Sequence, residues 1–261
     1  MILDVLAVHK TVKVGMLTET LNVSHVTLRK DLNKLEKRGI IKCTHGYVSL
    51  DEANNTGKRV AVNYLLKQKI AKAAAQIVED GETIMVGSGS CCALFAEELA
   101  LERKNITIIT NSVFIANFIC QLPNIKIILL GGYFQPETQV VIGSMVFKFA
   151  ENFYIDKFFL GVEGFIPHQG FTGNDYLRTE TLIGLSRYAK KIFILTDSTK
   201  FARRGTYELI QLGKITGLFT DDGIPKEAEK TLCENKIELY KAQAERKLEI
   251  VKSNSQFPTI N

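Results

Sequence analysis

The sequence lacks any apolar run near the roughly 20 residues that a membrane-spanning helix needs. Its start, MILDVLAVHK, has neither a basic region nor a small-residue cleavage site, so we expect no signal peptide and a cytoplasmic protein. The five cysteines form no CxxC pair, and their scattered placement argues against a disulfide framework or a zinc site. We therefore expect reduced thiols, no bound metal and no cofactor.

Basic charge is concentrated at one end of the chain, whose 261 residues carry a net charge of +5. Residues 1–50 hold eight Lys or Arg and four acidic residues, which leaves 25 basic and 24 acidic residues in the remainder. A basic module on a near-neutral body suggests that the module contacts phosphates. A solvated basic face would give the same distribution.

The pattern of apolar residues divides the chain into two domains. Residues 1–50 are typical of three short helices followed by a hairpin, and residues 51–58, DEANNTGK, are polar enough to be a linker. Residues 59–251 predict a larger α/β domain, and residues 252–261 predict a disordered tail.

In the larger domain, apolar runs typical of strands alternate with segments typical of helices. The predicted strands are 83–87, 106–110, 125–130, 157–162, 191–196 and 215–220. The predicted helices are 64–79, 91–101, 112–121, 144–152, 175–189 and 226–235. This alternation predicts a mainly parallel sheet that is buried on both faces.

The third predicted helix, from Ser24 to about Arg38, has one apolar face and one basic face. Leu28, Leu32 and Leu35 form the apolar face. The remaining surface offers groups that can read base edges or hold phosphates in a DNA major groove, whereas a charged surface helix is the structural alternative. The candidate DNA contacts on this helix are Ser24, His25, Thr27, Arg29, Lys30, Asn33, Lys34 and Lys37.

The segment after this helix, IIKCTHGYVSL, predicts a hairpin with a turn at His45 and Gly46. A helix, a short turn, a capped basic helix and a hairpin together match a winged helix-turn-helix. The wing then offers His45 and Tyr47 as further DNA contacts, although a plain turn with an exposed tyrosine fits equally well.

The stretch VSHVTLRKDLNKLEKRGIIKCTHGYV resembles the DNA-binding signature of the DeoR family of sugar-metabolism regulators. The matching positions are Ser24, Thr27, Leu28, Arg29, Lys30, Asp31 and Leu32, followed by the Leu-Glu-x-x-Gly segment that ends at Gly39. The family usually has a basic stretch before its first helix, which this sequence does not show.

In the larger domain, TIMVGSGSCC leads from a strand through a Gly/Ser loop into a helix, an arrangement in which backbone N–H groups can bind phosphate. The loop lacks the GK[ST] element of a nucleotide-binding P-loop, and alone it is usually structural. Polar residues also follow the other predicted strands, where ligands bind in parallel sheets. We expect one pocket lined by Ser88, Gly89, Ser90, Asn111, Gly131, Asp197 and Lys200, and by Arg178.

Two of these residues have structural alternatives, since Asp197 is suited to cap a helix and Arg178 to lie on the surface.

The segments KQKIAKAAAQIVEDGETI, IITNS, ILLGG, DKFFLGVEGF, GFTG and LTDSTKF resemble the effector domain of the DeoR family. That resemblance implies a fold like ribose-5-phosphate isomerase, with SGS as the phosphate loop. Two departures are Gly87 to Cys91 in place of Asp-Ser-Gly-Thr-Thr, and Gly184 in place of a lysine after Glu180.

The resemblance implies a sequence-specific DNA-binding transcriptional regulator, a repressor of a carbohydrate operon, that responds to a phosphorylated sugar or related metabolite. A sugar-phosphate isomerase using Glu163, Asp197 and Lys200 is the alternative, and a protein-interaction module is a third reading. We expect double-stranded operator DNA and a phosphorylated effector as partners, no membrane, and a homo-oligomer, either dimer or tetramer.

Overall fold

A computed structural model describes residues 2–50, 55–242 and 249–251 of the chain. The N-terminal domain contains helices α1 (Ile2–His9), α2 (Val14–Leu21) and α3 (His25–Lys37) and strands β1 (Thr11–Lys13), β2 (Ile41–Thr44) and β3 (Tyr47–Leu50). The strands form an antiparallel sheet in the order β1-β3-β2. The predicted winged helix-turn-helix is confirmed, and β1 is a third strand that the sequence did not predict.

Local hydrogen bonds fix both ends of α3 and the turn of the wing. The Ser24 hydroxyl accepts a hydrogen bond from the Thr27 N–H at 3.1 Å, as an N-cap should. Gly39, in the left-handed region at φ 67°, follows the last turn and lets the chain reverse. His45 and Gly46 both have positive φ, which suits a two-residue hairpin turn.

The larger domain begins with α4 (Asn55–Ala61) and α5 (Tyr64–Ala75). Its central strands are β4 (Thr83–Val86), β5 (Ile106–Thr110), β6 (Ile125–Leu129), β9 (Ile155–Leu160), β12 (Ala189–Leu195), β14 (Gly217–Asp221) and β15 (Glu238–Ala242). The helices between them are α6 (Ser90–Glu102), α7 (Val113–Ile119), α8 (Ser144–Ala150), α9 (Tyr176–Ser186) and α10 (Lys226–Glu234). These seven strands are parallel, in the order β15-β14-β12-β9-β4-β5-β6.

Smaller strands complete the domain. Strands β7 (Tyr133–Gln135) and β8 (Val140–Ile142) form a hairpin, and β10 (Gly164–Ile166), β11 (Gly170–Gly173) and β13 (Tyr207–Gln211) form an antiparallel sheet. Strand β16 (Glu249–Val251) pairs antiparallel with β15 at the edge of the main sheet.

Alternate residues of the central strands pack into two different hydrophobic cores, one on each face of the sheet. Ile84 and Phe159 face a core that contains α5, α6 and α7 and continues into the N-terminal domain through Leu28. Met85 and Phe158 face the opposite core, which contains α8, α9 and α10. This alternation is the two-residue period of a strand, and it confirms the predicted sheet with both faces buried.

The strand order reverses direction between β4 and β9. The chain runs from β4 outward to β5 and β6, returns to β9 on the other side of β4, and continues to β12 and β14. The loops after β4 and β9 therefore diverge and leave a crevice at the carboxyl edge of the sheet, which is where ligands bind in open parallel sheets.

The structure corrects the predicted linker, because α4 occupies its second half. Val60 and Ala61 are buried, and the Thr56 hydroxyl donates to the Thr138 carbonyl at 3.2 Å, so distant contacts stabilise a helix in a polar segment. Residues 51–54 and the predicted tail at 252–261 lie outside the described residues.

Candidate functional site

Helix α3 and the wing present a polar, basic surface to solvent. The residues predicted to contact DNA are all exposed: Ser24, His25, Thr27, Arg29, Lys30, Asn33, Lys34, Lys37, His45 and Tyr47. The side chains of Leu28 and Leu32 are buried beneath them, so the apolar face packs against the domain while the basic face remains accessible.

Three of the exposed residues have local contacts. Ser24 caps α3, and its hydroxyl also lies 2.9 Å from that of Thr27. In the wing, the ammonium group of Lys13 lies 5.7 Å from the centre of the Tyr47 ring, a cation–π contact that adds a basic group from β1 to the wing. The basic surface therefore extends from α3 to the three-stranded sheet.

The crevice at the carboxyl edge of the sheet begins with the loop from Gly87 to Ser90. Gly89 has φ 150° and ends this loop at the first turn of α6. A Cβ atom on Gly89 would lie 3.3 Å from the Gly161 Cα atom, so the loops after β4 and β9 pack backbone against backbone. The N-terminus of α6 and the hydroxyl groups of Ser88 and Ser90 consequently face the crevice.

Two arginines hold the carboxylate of Glu163 opposite this loop. The Glu163 Oε1 atom accepts hydrogen bonds from Arg178 of α9 at 2.7 Å and from Arg59 of α4 at 3.2 Å. Burial by itself would raise the pKa of Glu163, but Arg178 and Arg59 together bring it below its ordinary value. Glu163 is therefore ionised, and Arg178 is half-buried in this ion pair rather than free on the surface.

Asp197 and Lys200 follow β12 on the other wall. Asp197 caps a short 3₁₀ helix at Ser198–Ala202 by accepting from the Thr199 N–H at 3.1 Å. The ammonium of buried Lys67 lies 3.9 Å from Asp197 and donates to the Arg59 carbonyl at 2.5 Å, so it links α4 to this wall. Burial first, and then the nearby Arg203, lower the pKa of Lys200.

These walls enclose a cavity of about 50 Å³ that opens to the surface. Six of the eight predicted effector residues line it: Ser88, Gly89, Ser90, Arg178, Asp197 and Lys200. The described lining also includes Arg59, Glu163 and Cys91, and burial raises the pKa of the Cys91 thiol to about 12, which keeps it neutral. Three cations and two carboxylates leave the cavity with a net positive charge.

The prediction that Asn111 and Gly131 line the same pocket is wrong. The Asn111 side chain is buried and donates to the Val141 carbonyl at 2.9 Å, so its amide group holds β8 against the end of β5. Gly131 follows β6, which lies two strands away from β4 at the sheet edge. Among the described central strands, those whose carboxyl ends contribute to the lining of this cavity are β4, β9 and β12.

Helix α6 connects this cavity to the N-terminal domain. Its residues from Cys91 to Ala100 are buried, and it packs against α4, α5 and α7. Near its middle, the carboxylate of buried Glu97 contacts the guanidinium of Arg38, the C-cap residue of α3. The same guanidinium lies 5.2 Å from the centre of the Phe118 ring.

The sequence-based prediction of the effector pocket omitted Arg59, Lys67 and Glu163, of which Glu163 was predicted only as a catalytic residue of the isomerase alternative. Arg59 and Lys67 precede the first central strand, so no strand-end pattern marks them. Glu163 stands in the Gly161 to Gly164 cluster after β9, and its strand-end position was the one available signal.

Among the described residues, no helix is both long and apolar enough to cross a bilayer. The same residues contain no group of three or more His, Cys, Asp or Glu side chains placed to hold a metal ion.

Comparison with known proteins gives two family matches. Residues 1–54 match the model of the DeoR-like helix-turn-helix domain, and residues 62–222 match the model of the DeoR C terminal sensor domain. Curated relatives include the HTH-type transcriptional regulator GolR of Listeria innocua, at 31% identity over 86% of this chain and 90% of the relative. They also include the glycerol-3-phosphate regulon repressor of Escherichia coli, at 26% identity over 85% of this chain and 89% of the relative.

Solved structures are similar over part of the chain. Ribose 5-phosphate isomerase A of Methanocaldococcus jannaschii is 22% identical and aligns over 53% of this chain and 55% of its own, with a TM-score of 0.39. The probable sor operon regulator of Shigella flexneri is 12% identical and aligns over 65% of this chain and 88% of its own, with a TM-score of 0.40.

Proposed function

This chain belongs to the DeoR family of transcriptional regulators and is a DNA-binding regulator rather than an enzyme, and we propose that a phosphorylated metabolite bound in the crevice controls its affinity for DNA. Relatives named as repressors of the aga operon and of the glycerol-3-phosphate regulon support a repressor of a carbohydrate-metabolism operon.

One observation carries the proposal for the effector site. A Gly/Ser loop at the N-terminus of a buried helix faces Arg59, Arg178 and Lys200 across a crevice at the reversal of strand order. Backbone N–H groups, hydroxyl donors and surplus cations together suit a phosphate group, because phosphate accepts several charge-assisted hydrogen bonds. Glu163 and Asp197 add acceptors for the hydroxyl groups of a sugar.

For the DNA interface, α3 is proposed to enter the major groove. Arg29 and Asn33 are one helical turn apart and suit guanine and adenine edges, while Lys34 and Lys37 suit backbone phosphates. The wing is proposed to place His45 near the DNA backbone or minor groove.

Helix α6 is proposed to transmit the signal. Its first residue, Ser90, lines the effector crevice, and its Glu97 contacts Arg38 at the end of α3. Because α6 is buried on all sides, a shift at its N-terminus moves the helix as a unit and displaces the end of α3. A ligand that binds the two arrangements with different affinities then changes DNA affinity by the same coupling free energy.

A thermal-shift screen against sugar phosphates tests the effector site directly. A ligand present at about 100 times its Kd stabilises the folded protein by about 2.7 kcal/mol, which raises the melting temperature measurably. We expect phosphorylated sugars to stabilise the wild-type protein and their unphosphorylated counterparts to have no effect. Equal stabilisation by glucose and by glucose 6-phosphate, for example, would show that the phosphate group does not contribute to binding.

A further inference from the structure

Outside the crevice, a second chamber of about 470 Å³ shares three of its lining residues with the first. Arg59, Glu163 and Lys200 line both spaces, and Asn174, Arg203 and Arg204 line only the outer one of the two. The outer volume lies in the range of small-molecule sites. Because Arg59, Glu163 and Lys200 line both spaces, the two spaces adjoin at these residues.

The outer chamber carries more positive charge than the inner one. Four basic side chains line it against one carboxylate, Glu163, and that carboxylate is already bound by Arg59 and Arg178. Among the described residues, no carboxylate oxygen lies within 4.0 Å of a side-chain nitrogen of Lys200, Arg203 or Arg204. Burial and the charge of Arg203 lower the pKa of Lys200, although Asp197 and Glu163 act in the opposite direction, and an anion bound between the cations would relieve their repulsion.

The loop that carries the two arginines is held firmly. The Arg203 carbonyl accepts a hydrogen bond from the Phe165 N–H at 2.8 Å, and the N–H of buried Gly205 donates to the Thr172 hydroxyl at 2.8 Å. These bonds tie the loop to the small antiparallel sheet on both sides of Arg204. The two guanidinium groups are therefore presented at the mouth from a fixed backbone.

We propose that the effector carries two anionic groups, a phosphate at the Gly87 to Ser90 loop and a second acid group in the outer chamber, bound by Lys200, Arg203 and Arg204. The ligand class is then a phosphorylated sugar acid or a sugar bisphosphate, whose second group accepts two hydrogen bonds from each guanidinium plane. This inference rests on the proposed function, because it assumes that the inner loop binds the phosphate.

Matched pairs of ligands test the second anion with the wild-type protein. Glucose 6-phosphate and 6-phosphogluconate share a six-carbon chain and differ by a carboxylate, and fructose 6-phosphate and fructose 1,6-bisphosphate differ by a phosphate. At fixed ionic strength, calorimetry should give the doubly anionic member of at least one pair an affinity higher by on the order of tenfold or more, since hydrogen bonds to charged groups are worth about 1.5–3 kcal/mol. The pair with the larger ratio identifies the second group as carboxylate or phosphate.

The double variant R203A/R204A tests whether these two arginines cause the preference for doubly anionic ligands. We expect its ratio between doubly and singly anionic ligands to fall to about one, while R187A/K191A, which removes the same charge from the opposite edge of the sheet, keeps the wild-type ratio. A retained ratio in R203A/R204A overturns the assignment. Lost operator affinity in this variant without ligand would instead assign the arginines to DNA phosphates, and it also overturns the proposal.

The two proposals can fail separately. If singly anionic sugar phosphates bind the wild-type protein and the second acid group adds nothing, the second-anion proposal is wrong and the phosphate loop stands. If no phosphorylated ligand of either pair binds, both proposals are wrong.

Discussion

Arg29 stands on the exposed face of α3, where a side chain can make two hydrogen bonds to a guanine edge. Replacing it with alanine should weaken binding to the operator by about 1–3 kcal/mol and relax specificity at one base pair. Lys34→Ala and Lys37→Ala should instead weaken binding to all sequences alike and lower the salt slope by about one unit. Fluorescence anisotropy on operator and random duplexes at several salt concentrations separates the two behaviours, and equal losses on both duplexes would exclude base reading by Arg29.

A substitution at Lys200 should abolish the response to the effector without affecting DNA binding. Its side chain lines the crevice and has no carboxylate partner within 4.0 Å among the described residues, so Lys200→Ala should leave the melting temperature almost unchanged. The variant should bind operator DNA normally and lose its response to a phosphorylated sugar. Lys230→Ala, which removes an exposed lysine from α10, serves as the control. Loss of DNA binding at an unchanged melting temperature would assign Lys200 to coupling or assembly instead.

For single residues, the sequence predicted which residues follow a strand end, but it did not always predict which of them line the crevice. Ser88, Gly89 and Ser90 follow a buried strand, and the rule that ligands bind at strand ends placed them at the crevice. The same rule failed for Asn111, because a single sequence does not reveal the order of strands in the sheet. Strand β5 lies on the side of β4 that faces away from β9. Arg59 reaches the site only through the packing of α4, which no local pattern encodes.

At the scale of elements, the contact between α3 and α6 should control both stability and signalling. Arg38→Ala leaves the buried Glu97 carboxylate without its cation, which should destabilise the protein by about 3–5 kcal/mol. In the double variant R38M/E97Q the buried charge is gone, and most of the stability should return.

The double variant also tests the route of the signal. Denaturation by urea measures its stability, and operator affinity with and without a stabilising sugar phosphate measures coupling. We expect the ratio of operator affinities without and with ligand to approach one, while the affinity for the ligand itself persists. A double variant that responds like the wild type would exclude the Arg38 contact from the coupling.

Elements with long periodic patterns were predicted well, and short ones were not. The helix expected at 91–101 is α6 at Ser90–Glu102, and the strand expected at 106–110 is β5. By contrast, β7 and β8 have three residues each, and β11 pairs with β13 across more than 30 residues of sequence. Such strands exist because of distant partners, and their residues alone show no usable period.

For the whole molecule, we expect a dimer or a higher oligomer. One recognition helix reads too few base pairs for specificity, and two-fold operators match two-fold proteins. Because the N-terminal domain is small, the contact between subunits should lie in the larger domain. Light scattering at micromolar concentration should give at least twice the monomer mass of 29.2 kDa. A monomer that still binds its operator tightly and one-to-one would contradict this expectation.

If the crevice and the recognition helix are coupled, operator affinity must differ between the ligand-free and the ligand-bound protein. Fluorescence anisotropy on the DNA upstream of the protein's own gene should show binding at least about 10³-fold tighter than to random DNA. Adding the phosphorylated sugar that most stabilises the protein should change that affinity by about 5–150-fold, the usual range of coupling between sites. An operator affinity that stays constant when the stabilising ligand is bound would show that the crevice and α3 are not coupled.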